Sequence, residues 1–459
     1  MKNAKSVLRR KVLSLALMLL ILLIVLLLLR IYYFGDLDGA RKLNVLLITL
    51  DTTRPDHLGC YGYKDASTPN IDRLAEQAVV FTQAIAPIPI TLPSHCSMLT
   101  GLDVFSLGIR ENGTFYLTDN FTTLAEILKK NGYKTAAVTG SFVLDSRFGL
   151  EQGFDFYEDN LGGYNNRVAK RQWQGHKYGR FERPAGEVSN IAINWLQNNY
   201  ESNFFLWVHF FDPHAPYNPP QKYKLKNEKR RYKLYDGEIA YTDYELGKVL
   251  NELKRKELID NTLIIIASDH GEILGEHVHY YNGQRYNGHG LFTYEGELRA
   301  ALIVKLPDVI PKAKQIPQMV KVSDITPTIL DVLKIKEKIK FDGKSLRPLI
   351  VGNSTRNLTE LYCETMIPYL RFNRSSVRAL RTEKQKIIYL PKEEDVLLYD
   401  IVKDREEQIN LFDEKNKDHV GLFNKLLSYV KKIDSKQTNP TRIMDEETIE
   451  KLRSLGYLK

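Results

Sequence analysis

Asp269 and His270 stand side by side in "SDHGEILGEH", directly after the apolar run "TLIIIASD" at 262–269. A carboxylate and an imidazole at a strand end can face one point, and as hard and borderline ligands they suit a divalent cation. A single Asp-His pair is common in loops. Asp51 gives this one weight, because it ends a second apolar run, "NVLLITL" at 44–50, and a buried carboxylate is costly unless a cation or a donor meets it. "HFFDPHAPYNPP" adds His209, Asp212 and His214 on the loop after a third strand, and "NGHG" adds His289. Any one of these histidines reads as a hydrogen-bonded structural ring; several on one sheet edge read as a site. "ITLPSHCSMLTG" at 90–101 puts Thr91 just ahead of a helix N-terminus, where backbone N–H groups and the helix dipole favour an alkoxide or a bound oxyanion. A plain N-cap gives the same local sequence. Thr91 therefore needs a partner from elsewhere in the chain.

The elements that must position these residues alternate. "TAAVTGS" (135–141), "FFLWVHFF" (204–211) and "ALIVKLP" (301–307) join the two runs above as buried strands. Helical stretches such as "TTLAEILKKNG", "AGEVSNIAINWLQNN" and "YDGEIAYTDYELGKVLNELKRK" lie between them. That order predicts an α/β sandwich with a largely parallel central sheet, whose ligands gather at the carboxyl ends of strands. Asp51, Asp212 and Asp269 all fall at or just past such ends. From about residue 355 the pattern changes to short strands ("LYCETM", "KIIYL", "VLLYDI") and then to helical "DHVGLFNKLLSYVKKI", which predicts a small α+β subdomain.

The chain has 459 residues, enough for a large core. Its formal charge of +9 is unevenly spread: residues 1–42 carry eight Lys/Arg against two acids, which leaves only +3 for the rest. The basic balance therefore belongs to one end and implies no nucleic-acid surface. Five basic side chains precede "VLSLALMLLILLIVLLLL" at 12–29, eighteen residues with Ser14 as the only polar one. At 1.5 Å per residue that run nearly crosses a bilayer core, and Ile31 to Phe34 extend it with interfacial aromatics. A cleaved signal peptide has a shorter apolar region ending in small residues, whereas Arg30 and "IYYF" follow here. The expectation is a basic cytoplasmic flank at 1–11 and an uncleaved single-pass anchor at 12–34. A catalytic domain at 42–350 and the subdomain at 355–459 then lie on the extracytoplasmic side. Cys60, Cys96 and Cys363 are too scattered for a disulfide framework and read as small buried side chains.

The motifs resemble those of the type I sulfatases of the alkaline phosphatase superfamily. The similarity runs from Asn44 to the end, through "NVLLITLDTTRPDHLGCYGY", "TPNIDRLAEQAVVFTQAIA", "TLPSHCSMLTG", "HFFDPHAPY", "SDHGEILGEH", "SDITPTIL", "DGKSLRPL" and "EETIEKLRSLGYL". It implies an alkaline-phosphatase-like sandwich and a hydrolase of sulfuric or phosphoric esters. One divalent metal ion (calcium, magnesium, manganese or zinc) is implied at Asp51, Asp269, His270 and Thr91. His95, Asn112, His214 and His289 are implied around the substrate, the last two also as catalytic groups. The departures bear on mechanism. The family's Cys-x-Pro-Ser-Arg, whose cysteine matures to formylglycine, is Thr91-Leu92-Pro93-Ser94-His95, and its paired aspartates are Asp51-Thr52. Thr91 therefore takes the nucleophile position, and Cys96 lies five residues too late to replace it. The family's second lysine is replaced by His289. The resemblance implies a metal-dependent esterase acting through Thr91, its substrate free or carried on a glycan or lipid, and the apolar run at 12–29 adds the expected membrane anchor. The alternatives are a transferase of phospho-head groups onto an envelope glycan or lipid, and an inactive binding protein of the same fold.

Overall fold

The computed structural model describes residues 18, 42–161, 172–173, 176–177, 182–224, 232–281, 284–286, 288–307, 314–352, 358–435, 441 and 443–454. The predicted anchor at 12–34 and its basic flank lie outside the described residues, Met18 apart. Among the described residues no helix is long and apolar enough to cross a membrane. Residues 44–459 form one compact unit, so the expected 42–350 and 355–459 regions pack together there.

Its centre is an eight-stranded sheet. In chain order the strands are β1 (Asn44–Leu50), β2 (Val79–Phe81), β3 (Lys134–Val138), β4 (Phe156–Glu158), β5 (Phe204–Phe210), β6 (Thr262–Ser268), β7 (Leu302–Lys305) and β8 (Lys314–Ile316). Across the sheet they run β8-β2-β7-β6-β1-β5-β3-β4. The five strands from β6 to β4 are mutually parallel, as are β2 and β8. β7 runs antiparallel to both β6 and β2, so the sheet is mixed. The expected parallel strand at 301–307 is therefore reversed. An apolar run buried on both faces fits either direction, and its composition does not report which.

Period-two alternation divides the sheet's faces. Leu46, Ile48 and Leu50 of β1, with Leu206, Val208 and Phe210 of β5, join one core with helices α1 (Pro69–Ala75), α4 (Ala185–Asn199) and α5 (Lys233–Arg255). Each fully buried side chain of this size stabilises the fold by about 1.5–3 kcal/mol. The intervening residues Thr49, Trp207 and His209 face the opposite way, toward helix α2 (Thr91–Thr100). Helix α3 (Leu124–Lys130) begins with a capping box in which Thr123 and Glu126 exchange hydrogen bonds. A second, antiparallel sheet carries β9 (Glu360–Thr365), β10 (Val377–Thr382), β11 (Gln385–Leu390) and β12 (Asp395–Asp400), with helix α6 (Lys417–Asp434) packed on it.

Because the compact unit begins at Asn44, deleting residues 1–35 is expected to leave a soluble, folded protein with a cooperative melt. Aggregation of that truncation across several buffers would place the N-terminal segment inside the fold.

Candidate active site

Register brings the two carboxylates together. Leu50 pairs with Phe210 on one side and with Ser268 on the other, so Asp51 and Asp269 leave adjacent parallel strands at the same level. The backbone N–H of Asp51 donates to the Phe210 carbonyl at 2.9 Å. Ligand atoms of Asp51, Asp269 and the next residue, His270, all lie within 4.8 Å of one another, and all three residues are fully buried.

Their hydrogen bonding leaves an acceptor-lined pocket. Asp269 Oδ1 accepts the backbone N–H groups of Thr52 (3.0 Å) and His270 (2.8 Å), while its Oδ2 has no partner. Neither carboxylate oxygen of Asp51 has one. The His270 Nδ1–H donates to the Gly271 carbonyl at 2.9 Å, which leaves the Nε2 lone pair facing Asp269 Oδ2 at 3.6 Å. Two buried carboxylates with three orphaned oxygens are the donor set of a divalent cation, and the imidazole lone pair completes it. The residues fit the metal the resemblance implied. Burial first, then the neighbouring Asp269 and Glu272 carboxylates, push the Asp51 carboxyl well above its usual range, and burial raises Asp269 as well. Groups with raised folded pKa values favour the fold below the ordinary carboxylate pKa, and that contribution is lost as pH rises through the raised values. The metal-free protein is therefore expected to lose melting temperature over that interval. A divalent cation should restore more of it at pH 8 than at pH 5, where protons compete for the same oxygens. Equal metal-induced shifts at both pH values would contradict this pairing.

Thr52 shows how tightly the backbone is held here. Its φ is 48°, left-handed and unfavourable for a β-branched residue, at a cost of about 1–3 kcal/mol. Three hydrogen bonds hold it there: its N–H to Asp269, its Oγ1 to the Pro213 carbonyl at 2.8 Å, and its carbonyl accepting from Tyr235 at 2.8 Å. The Thr52 hydroxyl thus bonds the Pro213 carbonyl and not the carboxylates.

Thr91 is the first residue of α2 rather than the residue ahead of it, and Ile90 is the cap. Its hydroxyl caps nothing, which removes the plain N-cap explanation. Instead Thr91 Oγ1 lies 3.4 Å from His270 Nε2. Ser94 Oγ donates to the Asp269 carbonyl at 2.6 Å and locks the first turn of α2 against the strand end. Asn112 Oδ1 accepts the Leu92 N–H at 2.9 Å, and its buried Nδ2 has no partner. His95 Nδ1–H donates to the Thr91 carbonyl at 2.8 Å, and its fully buried ring lies against Trp207 and His209. Cys96 is fully buried, and burial pushes its thiol far up.

His214 and His289 converge on the same spot. Their ring centroids are 5.1 Å apart, and those of His289 and His270 are 4.4 Å apart. Burial, then the His289 imidazole, lowers His214 to about 3, and burial lowers His289 to about 4, so both rings are neutral in the ligand-free protein. Glu272 was not singled out in sequence, although it sits two residues beyond His270. Its Oε1 lies 3.3 Å from His289 Nδ1, and burial first raises its carboxyl to about 7. Arg54 pins that segment by donating to the Glu272 carbonyl (3.1 Å) and to Glu276 (2.6 Å). His209 is not on the loop after the third strand but inside β5; Asp212 lies beyond that strand and outside the carboxylate–imidazole group.

This mixed α/β sandwich, with acidic strand ends facing a helix N-terminus, is the alkaline-phosphatase-like fold. An α/β protein solved in complex with its substrate D-glucosamine-2-N,6-O-disulfate superposes with a TM-score of 0.70 at 19% identity, covering 87% of this chain and 99% of that one. A phosphonate monoester hydrolase of Agrobacterium radiobacter superposes with a TM-score of 0.68 at 21% identity, covering 85% and 96%. In sequence, an arylsulfatase of Clostridium perfringens is 24% identical over 479 aligned positions, which span 87% of this chain and 96% of the relative. The sulfatase family model matches residues 43–335, and the C-terminal model of N-sulphoglucosamine sulphohydrolase matches 285–436. The chain belongs to the type I sulfatase family of the alkaline phosphatase superfamily and is a hydrolase of sulfuric or phosphoric esters.

Proposed function

We propose that the protein is a membrane-anchored, metal-dependent esterase that cleaves a sulfate or phosphate ester through Thr91. The observation that carries this reading is the Thr91 hydroxyl 3.4 Å from His270, beside two buried carboxylates with unpaired oxygens. Asp51, Asp269, His270 and Thr91 would hold a divalent cation, and the imidazole in the set favours zinc or a transition ion over calcium or magnesium. Such an ion, when bound, supplies positive charge for a Thr91 alkoxide and for the ester's non-bridging oxygens.

Thr91 gives up its hydroxyl proton to solvent, its Oγ bonds to sulfur or phosphorus, and the bond to the alcohol leaving group breaks. His214 and His289 take up a proton as the anionic ester enters and hand it to the leaving oxygen. Asn112 Nδ2 and His95 are the remaining groups assigned to substrate binding. A formylglycine hydrate can expel sulfate by regenerating its aldehyde, but a threonine ester has no such exit. Water must displace it at sulfur or phosphorus, which returns the threonine hydroxyl. That requirement also supports a second reading, in which an acceptor hydroxyl on a glycan or lipid takes the place of water. Membrane tethering on the extracytoplasmic side would hold the site beside such acceptors.

The test is turnover of aryl sulfates, phosphomonoesters and phosphodiesters by the purified protein, stripped of metal and then reloaded with each candidate ion. Metal-dependent release of the alcohol into water is expected. Modified acceptor without free acid would favour the transferase. No turnover and no stoichiometric metal would leave only a binding protein.

A further inference from the structure

His209 is a full-length histidine buried inside β5, and nothing in the proposed chemistry uses it. Its surroundings assign its protons. Trp207 Nε1–H donates to Thr49 Oγ1 at 2.9 Å, and an indole nitrogen can only donate. Thr49 is fully buried, and among the described residues its hydroxyl has one other hydrogen-bond neighbour, His209 Nδ1 at 3.0 Å. If His209 carried its proton on Nδ1, the Thr49 hydroxyl hydrogen would be buried without an acceptor. The Thr49 hydroxyl therefore donates to Nδ1, and the ring keeps its hydrogen on Nε2.

That Nε2–H makes no hydrogen bond among the described residues and points toward the Asp51 carboxylate, whose Oδ2 lies 3.5 Å away. His95 cannot compete as a donor there, because its own Nδ1–H is spent on the Thr91 carbonyl. Period-two alternation makes the arrangement possible: Thr49 and His209 are register partners on adjacent strands, and Trp207 is two residues before His209 on the same face.

We infer that Trp207 and Thr49 hold His209 with its Nε2–H directed at the Asp51 carboxylate, which makes His209 a positioning residue and not a metal ligand. The alternative tautomer would turn the Nε2 lone pair toward the same pocket and make His209 a fifth protein ligand, so the two roles exclude one another. Outer donors of this kind commonly set metal affinity within a factor of about 10–100. The inference rests on the metal reading above only for its consequence; the tautomer itself belongs to the metal-free protein.

Two measurements on the full-length protein test it. Nitrogen-15 NMR of histidine-labelled, metal-free protein, with His209 assigned through His209→Gln, is expected to show the Nε2–H tautomer. Zinc affinity by chelator competition should fall about 10–100-fold in His209→Phe, which has no donor. It should stay within a few-fold of wild type in His209→Gln, whose amide N–H can still reach Asp51. Thr49→Val is expected to mix the tautomers and to weaken zinc binding several-fold, which provides a reading if His209→Phe does not fold. An Nδ1–H tautomer, equal losses in the Gln and Phe variants, or wild-type affinity in the Phe or Val variant would each overturn the inference. Wild-type protein that binds no divalent cation would instead sink the functional proposal, leaving the tautomer measurement to decide this one.

Discussion

Thr91→Ala is expected to abolish turnover, by ~10⁴–10⁶-fold in kcat, while the melting temperature stays close to wild type. The size follows from the role, since losing a covalent nucleophile leaves only substrate binding and general electrostatics. The unchanged fold follows from the structure: the Thr91 hydroxyl caps no helix, its contact to His270 is long at 3.4 Å, and helix α2 starts from Ile90. Cys96→Ala is the matched control. That thiol is fully buried on the helix beyond Thr91 and burial keeps it protonated, so its loss should leave kcat unchanged and cost only a small cavity. Thr91→Cys recreates Cys-x-Pro-Ser but keeps His95 where the maturation motif has arginine. Little or no formylglycine is expected from it even beside a maturing enzyme, as read by the mass of the peptide.

Asp269→Asn is expected to lose metal and activity together. The asparagine oxygen must stay where Oδ1 accepts the Thr52 and His270 N–H groups, because only an acceptor satisfies both. The amide NH2 then takes the place of Oδ2, so donors face Asp51 and the His270 lone pair where an acceptor had stood. Loss of one buried countercharge is on the order of 3–5 kcal/mol, roughly 10²–10⁴-fold in metal affinity. The metal-free variant should nevertheless melt no lower than metal-free wild type, because a charge held in a desolvated pocket has been removed. Stoichiometric metal in Asp269→Asn would move the site elsewhere.

Much of this was legible in the chain because burial and chemistry wrote the same residues. An apolar run that stops at an acid, as at Asp51 and Asp269, is a strand that ends in a buried carboxylate at the candidate site. The helix at Ala185–Asn199 occupies the stretch its periodicity marked. β10 was not legible, since "VRALRT" hides a strand behind Arg378 and Arg381, whose buried partners Glu364 and Glu295 are distant in sequence. The reversal of β7 was hidden for the same reason that its burial was plain. The sequence reads His209 as a loop residue because it is polar and lies near a strand end, whereas it sits inside β5. Its tautomer depends on Thr49, 160 residues away, and no local pattern carries a pairing across that span.

The most direct test of the central claim is mass spectrometry of wild-type protein quenched during turnover of a slow aryl ester. A sulfuryl or phosphoryl adduct is expected on the peptide containing Thr91, at Thr91 itself, and absent from Thr91→Ala. An adduct at Ser94 or Cys96, or full turnover by Thr91→Ala, would contradict the account.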